Sequence, residues 1–340
     1  MKMLSNVTVI IPAHNRPERL QRLLEYFSST DIRIIVPDSS INKYTGKIPR
    51  PENTIYIHRP GVHMLRKVKE ILPMIQTPYV LYCADDDFAV PSGIKKVTEF
   101  LEEHPDFSIA QGHYLTFTPR KHSVEFLPRY IRYFDKQVCA PTSLERLEKE
   151  TSMYASLLYG VARTDAFRKV YSYCFDSNGE LRFRNLFLAE EYFNHAMLIC
   201  GNYATITCFF SARERIEGSA TDTTVPISVV KTADEYKDEY NGFITSLTNL
   251  LADMQPMAKE EAREEIIKIC QAKRDTASIS LKYRIVTFLS RHKIMRPLSR
   301  LADRRYAAKG LKAVKGMPSY PCTFDTPEKQ AILNAIQQNA

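Results

Sequence analysis

The sequence predicts an α/β fold: a mostly parallel sheet flanked by helices, followed by a mainly helical C-terminal region. Three observations carry this expectation. Short β-branched runs alternate with amphipathic helical stripes through the first hundred residues, joined by short links. The first run, Val7–Ile11, is continuous and β-branched, as in a strand buried on both faces. Polar and acidic residues close several of them, at the place where open α/β sheets bind their ligands.

The elements follow in order. Val7-Thr8-Val9-Ile10-Ile11-Pro12 is a strand closed by proline, and after Ala13-His14-Asn15-Arg16 a helix begins at Pro17 with the stripe Leu20, Leu23, Leu24, Phe27. A second strand, residues 32–36, ends at Pro37-Asp38-Ser39-Ser40. A third, residues 54–57, precedes a helix with the stripe Leu65, Val68, Ile71, Leu72, Ile75, whose charges Arg66 and Lys67 are expected in solvent. The fourth, residues 79–84, runs into Asp85-Asp86-Asp87, and a helix carrying Ile94, Val97 and Leu101 follows. Two short strands are expected over 107–117 with a bend or close approach at Gly112, a long loop over 118–152, and a return to the sheet at 157–162. A helix then runs from Leu188 to Ile199 with Glu190 and Glu191 in its first turn, favoured there by the helix dipole, and Gly201 at its end. A strand at 203–210 completes the sheet. Residues 1–225 are read as the catalytic unit and residues 226–340 as a helical second region.

Composition narrows the class. The 340 residues suit one large domain with an appendage. No run of 18 apolar residues spans a bilayer, and the N-terminus lacks a secretory signal pattern, so the expected location is cytoplasmic. Seven scattered cysteines without C-x-x-C spacing exclude a disulfide framework or zinc knuckle. The net charge of +8 is local: Lys282–Lys315 holds eleven Lys/Arg against Asp303, and the remainder is slightly acidic.

Three adjacent carboxylates at the mouth of a buried strand repel one another and resist desolvation. A divalent cation relieves both, because Mg²⁺ and Mn²⁺ take one or two protein carboxylates and complete their shell with phosphate oxygens. The triplet therefore reads as a metal–diphosphate site. Arg213, just past the last strand, offers a planar donor for the diphosphate or a surface ion pair with Glu214 or Glu217. His14 and His63 flank the expected cleft. No G-x-G-x-x-G or G-x-x-x-x-G-K-[ST] loop occurs, which removes most of the support for dinucleotide and P-loop sites.

Thr8–Arg16, Pro37-Asp38-Ser39-Ser40, Tyr79-Val80-Leu81 and Ala84-Asp85-Asp86-Asp87, in this order, resemble the family-2-like glycosyltransferases of the GT-A fold, a Rossmann-like sheet. The resemblance covers roughly residues 5–220 and points to the bacterial polysaccharide and O-antigen type. It implies nucleotide-sugar contacts from Pro12, Ala13, Asn15, Arg16 and Asp38, with Asp85 and Asp86 at the ribose and diphosphate. It makes Asp87 the principal ligand, with Asp85 beside it, of Mn²⁺ or Mg²⁺, and Glu191 or else Glu190 the catalytic base. The implied reaction is inverting transfer of a sugar from a nucleotide-diphosphate donor to a glycan or lipid-linked acceptor.

In the basic segment 282–315, apolar residues interleave with Lys and Arg as in helices that lie on an anionic membrane surface. This adds a peripheral position on the inner face of the cell membrane to the expectation. Two alternatives stand beside it: a nucleotidyltransferase of sugar metabolism, which usually carries a Gly-rich basic loop absent from His14-Asn15-Arg16-Pro17, and a nucleic-acid-binding protein using the basic segment.

Overall fold

The computed structural model of the chain describes residues 4–120, 123–130, 136–150, 156–216, 224–276 and 326–338, with Arg305 and Ala308. The strands are β1 (Val7–Ile10), β2 (Arg33–Asp38), β3 (Thr54–His58), β4 (Tyr79–Tyr82), β5 (Phe88–Ala89), β6 (Phe107–Arg120), β7 (Ser123–Arg129), β8 (Gln137–Val138), β9 (Val161–Arg163) and β10 (Asn202–Glu214). The helices are α1 (Pro17–Phe27), α2 (Met64–Ile71), α3 (Pro91–Glu103), α4 (Ser143–Glu150), α5 (Thr164–Tyr173), α6 (Leu186–Cys200), α7 (Ile227–Val230), α8 (Lys237–Met254), α9 (Lys259–Thr276) and α10 (Pro327–Gln338).

The sheet order is β3-β2-β1-β4-β9-β6-β10-β5, with β7 on β6 and β8 on β10. β1, β2, β3 and β4 run parallel, β9 is antiparallel to both β4 and β6, and β6 and β10 are parallel to each other. The carboxyl ends of β1, β2, β4 and β10 therefore open on one edge, as the strand–helix alternation predicts.

Alternate residues of β1 feed two cores. Val7, Val9 and Ile11 pack with α1, α3 and α10, whose Ile332 is fully buried. Ile10 faces α2, α5, α6 and α8. The helical C-terminal region thus contributes to the apolar layers on both faces of the sheet. Among the described residues, no helix is long and apolar enough to cross a membrane. The basic segment 282–315 lies outside the described residues, apart from Arg305 and Ala308.

Four expectations need correction. Residues 107–120 form one strand, not two; Gly112 permits a close approach, since a Cβ there would stand 2.5 Å from Cys208 Sγ. The stretch 118–152 holds β7, β8 and α4 in place of a loop. Its mixed aromatic and charged residues show no clear period, and β7 is defined by its antiparallel pairing with β6. α2 stops at Ile71, and residues 72–74, with Pro73, form a 3₁₀ turn. Finally, α6 starts at Leu186, capped by the Asn185 side chain, which accepts from the Phe187 and Leu188 N–H groups at 3.0 and 3.1 Å. Glu190 and Glu191 consequently stand in its second turn, where capping no longer accounts for them.

Candidate active site

The first wall of the site is the β1–α1 turn. Asn15 adopts φ = 53°, a left-handed conformation that asparagine tolerates better than most residues. Its N–H donates to Ser40 Oγ at 2.7 Å, and its Oδ1 accepts from the Ile41 N–H at 3.0 Å. These bonds tie the ends of β1 and β2 together. Asp38 is buried at the end of β2, where Oδ1 accepts from Ser40 and Oδ2 from the Tyr56 hydroxyl at 2.7 Å.

Lys67 is the unforeseen member of this wall. Instead of reaching solvent, its ammonium donates to the Ala13 carbonyl (2.6 Å) and Ser39 Oγ (3.0 Å), with the side chain only 2% exposed. Burial lowers its amine to about 8, against the opposing pull of Asp85 and Asp38.

The aspartate triplet forms the floor. All three side chains turn inward. Asp85 accepts from the His14 N–H at 3.0 Å and from Arg16 Nη1 at 3.2 Å, and Arg16 Nη1 also reaches Asp86 Oδ2 at 2.7 Å. Burial, then the Asp86 charge, pushes the Asp85 carboxyl up to about 6 despite Arg16. Asp87 is gripped on both oxygens, Oδ2 by Arg213 Nε at 2.9 Å and Oδ1 by the Glu214 N–H at 3.0 Å. Burial raises the Asp87 carboxyl, and Arg213 opposes it only in part. Arg213 is therefore not in a surface pair; its guanidinium lies 3.9 Å from the centroid of the Tyr159 ring.

Glu214 sits behind the floor. Arg19 Nε and Nη2 donate to its two oxygens at 3.1 and 2.8 Å, and Arg22 Nη2 donates at 2.7 Å. Burial alone would raise its carboxyl, but Arg19 and Arg22 hold it below the usual range.

The far wall is α6. Glu190 contributes to the electrostatic field at Arg213 and Tyr159, so it belongs to the Asp87 side of the cleft. Glu191, about 100° further round the helix, is bonded to Lys231 Nζ at 2.6 Å. His14 joins Ser39, and His63 caps α2 and bonds to the Arg184 carbonyl. Neither histidine meets the triplet through its ring.

The donor set suits a hard divalent ion. It is all carboxylate oxygen, and burial holds the Asp85 and Asp87 carboxyls up, with Arg16 and Arg213 opposing it only in part. Among the described residues, no group of three or more His, Cys, Asp or Glu is gathered to hold a metal unaided. An ion here would need phosphate oxygens to complete its shell, as the sequence leads one to expect.

The fold thus brings together Pro12, Ala13, Asn15, Arg16, Asp38, the triplet and Arg213, with Glu190 on the side of Asp87 and Arg213 and Glu191 turned toward Lys231. Sequence reasoning missed Lys67, Glu214, Arg19, Arg22 and Tyr159. Two signals were available. Lys67 precedes Ile71 by four residues, which sets it on the shoulder of the apolar stripe. Arg19 and Arg22 repeat Arg16 at three-residue spacing.

Residues 8–153 match the family model for glycosyl transferase family 2. That stretch is a family 2 glycosyltransferase domain, and the fold of the chain is of the GT-A type. Among solved structures it is similar to S. aureus TarS 1–349 in complex with UDP-GlcNAc, at a TM-score of 0.54 and 11% identity, over 84% of this chain and 81% of that one. The same TarS fragment in complex with UDP gives a TM-score of 0.50 at 12% identity, over 84% and 78%. At these identities the likeness concerns the fold. No curated protein matches the chain. The family match favours the glycosyltransferase reading over the nucleotidyltransferase one.

Proposed function

We propose that this enzyme transfers a sugar from a nucleotide-diphosphate donor to a hydroxyl of a glycan or lipid-linked acceptor, with inversion, in cell-surface polysaccharide synthesis. The reading rests on one observation above the rest. The ends of β1, β2, β4 and β10 bring Asp38, the inward-facing triplet, Arg16 and Arg213 to one edge, with Glu190 near enough to act on Arg213 and Tyr159. Pro12, Ala13, Asn15 and Asp38 form the nucleotide end. Arg16, Asp85 and Asp86 line the path of the ribose and diphosphate. TarS, of the same fold, is described with UDP-GlcNAc and with UDP, which makes a uridine nucleotide the first donor to try.

Asp87, with Asp85 beside it, would hold Mn²⁺ or Mg²⁺, which when bound supplies positive charge against the diphosphate. The protein adds its own. Arg213 and Arg16 are fixed guanidiniums aimed where negative charge grows as the anomeric carbon–oxygen bond breaks and its electron pair leaves with the nucleotide. The acceptor oxygen attacks that carbon from the opposite face, and its proton passes to a carboxylate on α6. Glu190 is the better placed acceptor for that proton, because Glu191 is occupied by Lys231. The 282–315 segment supplies attraction to an anionic membrane surface on the inner face of the cell membrane, where a lipid-linked acceptor resides.

A thermal-shift panel of nucleoside diphosphates with and without Mn²⁺ tests this reading. Ligand at one hundred times its dissociation constant stabilises the fold by about 2.7 kcal/mol. One nucleotide should give a Mn²⁺-dependent shift that Asp87→Asn abolishes. Equal responses to all nucleotides, or a shift that persists in Asp87→Asn, would contradict it. Sedimentation with anionic liposomes, lost on deleting residues 282–315, tests the membrane contact.

A further inference from the structure

Arg16, Arg19 and Arg22 rise along one broad side of α1 at three-residue spacing, and that side looks onto the triplet. Only Arg16 bonds to triplet carboxylates. Arg19 and Arg22 both turn instead onto Glu214, whose side chain is 5% exposed. Arg19 nevertheless senses the triplet: Glu214 first, and then Asp86 and Asp85, help to hold its proton. Arg22 spans both places, since Nη2 donates to Glu214 Oε2 at 2.7 Å and to the Asp86 carbonyl at 3.0 Å.

The charge balance gives this arrangement a consequence. Among direct ion pairs, two guanidiniums, Arg16 and Arg213, meet the three carboxylates, while Lys67 and Arg129 act on Asp85 and Asp87 without a bond to them. Were Arg19 and Arg22 also to settle on Asp85 and Asp86, guanidinium N–H groups would take up the carboxylate oxygens that a divalent ion needs, and two further positive charges would oppose its approach. Buried guanidinium–carboxylate triads add little stability over apolar side chains of similar volume. The value of Glu214 therefore lies in where it sends the two arginines.

We propose that Glu214 is a positioning residue that draws Arg19 and Arg22 away from the aspartate triplet, leaving carboxylate oxygens of Asp85–Asp87 open to the incoming cation and diphosphate. Its backbone N–H serves the same end by fixing Asp87 Oδ1. The inference rests on the triplet being the donor site, as proposed above.

The test is Glu214→Gln, with UDP as the probe, measured by calorimetry in Mn²⁺ and in EDTA. The amide cannot balance two guanidiniums, and the released arginines fall onto Asp85 and Asp86. Binding in Mn²⁺ should weaken roughly 10- to 100-fold, the range for lost outer partners of metal ligands. Binding in EDTA should hold or tighten, because the released cations attract the anion. Glu214→Gln with Arg19→Gln, which removes one released charge, should regain most of the Mn²⁺-dependent affinity and also guards against misfolding of the single variant. An equal loss in both media, or no recovery in the double variant, would overturn the proposal. If native protein shows no Mn²⁺-dependent UDP binding, the donor-site reading itself fails. A crystal structure of Glu214→Gln then decides this inference: Arg19 or Arg22 within hydrogen-bond reach of Asp85 or Asp86 supports it, and both left in place overturns it.

Discussion

Replacing Arg213 with methionine isolates the strongest electrostatic commitment of the site. The substitution keeps apolar contact with Tyr159 but leaves Asp87 buried without its guanidinium. Breaking a buried pair from one side costs about 3–5 kcal/mol. Arg213 is 17% exposed, so some water screens the loss, and the lower end, about 3 kcal/mol, applies. At roughly 2–4 °C per kcal/mol for chains of a few hundred residues, the melting temperature should fall by roughly 6–12 °C. The pH dependence identifies the cause. Burial already holds the Asp87 carboxyl above its ordinary value, and losing Arg213 raises it further. A carboxyl raised in the folded state keeps its proton where the unfolded chain has released it. Its ionisation therefore lowers stability as pH rises from the unfolded value through the folded one, and the cost is complete above that. Thermal melts at pH 5, 6.5 and 8 should show the Arg213→Met deficit growing with pH, and adding Asp87→Asn should flatten it. A deficit of equal size at all three pH values, or largest at pH 5, would refute the reasoning.

Lys67→Met tests the bracket between β1 and β2. The native amine, lowered to about 8 by burial, gives up its proton in the folded state before the unfolded chain does, so this group makes stability rise as pH climbs from 8 toward 10.5. The variant should lack that rise in thermal melts and should bind UDP about ten-fold more weakly, about 1.4 kcal/mol; identical alkaline slopes would argue against a buried charged lysine. Glu190→Gln should lower transfer by about 10²–10⁴-fold with UDP affinity retained, whereas Glu191→Gln should mainly release Lys231 and cost about 1–3 kcal/mol in a melt; the reverse pattern in a transfer assay would put the base at Glu191. Gly242→Ala would drive a Cβ to 1.9 Å from the Arg182 carbonyl, so α8 must shift at about 1–3 kcal/mol; an unchanged melting temperature would contradict that packing.

Much of the sheet was legible because its strands are pure in period. Val7–Ile10, in which Thr8 is the one polar residue, and Tyr79–Tyr82 are buried throughout, and such runs allow little besides a central strand. The acids that close them were legible for the same reason, since a charge ending a buried run has to lie at the sheet edge. Residues 118–152 were opaque because β7 lies at the margin of the sheet, where its half-exposed side chains follow no strong pattern. The start of α6 was misplaced by two residues, as Leu186 and Phe187 continue the apolar run and only Asn185, through its bonds to the following N–H groups, marks the boundary. Lys67 and Glu214 were hidden by their chemistry. A lysine on a helix and a glutamate beyond a strand are ordinarily solvated, and only long-range contacts with Ala13, Ser39, Arg19 and Arg22 bury them.

The central claim is that the triplet edge is where an activated sugar donor lies. A crystal structure of the protein grown with UDP and Mn²⁺ tests it most directly. The account expects the base end between Ala13 and Asp38, the diphosphate between Arg16 and Arg213, and the ion on Asp87. A well-ordered nucleotide bound elsewhere, for instance in the cavity of about 480 Å³ lined by Thr77, Ser108 and Arg163, with the triplet still closed on its arginines, would contradict it.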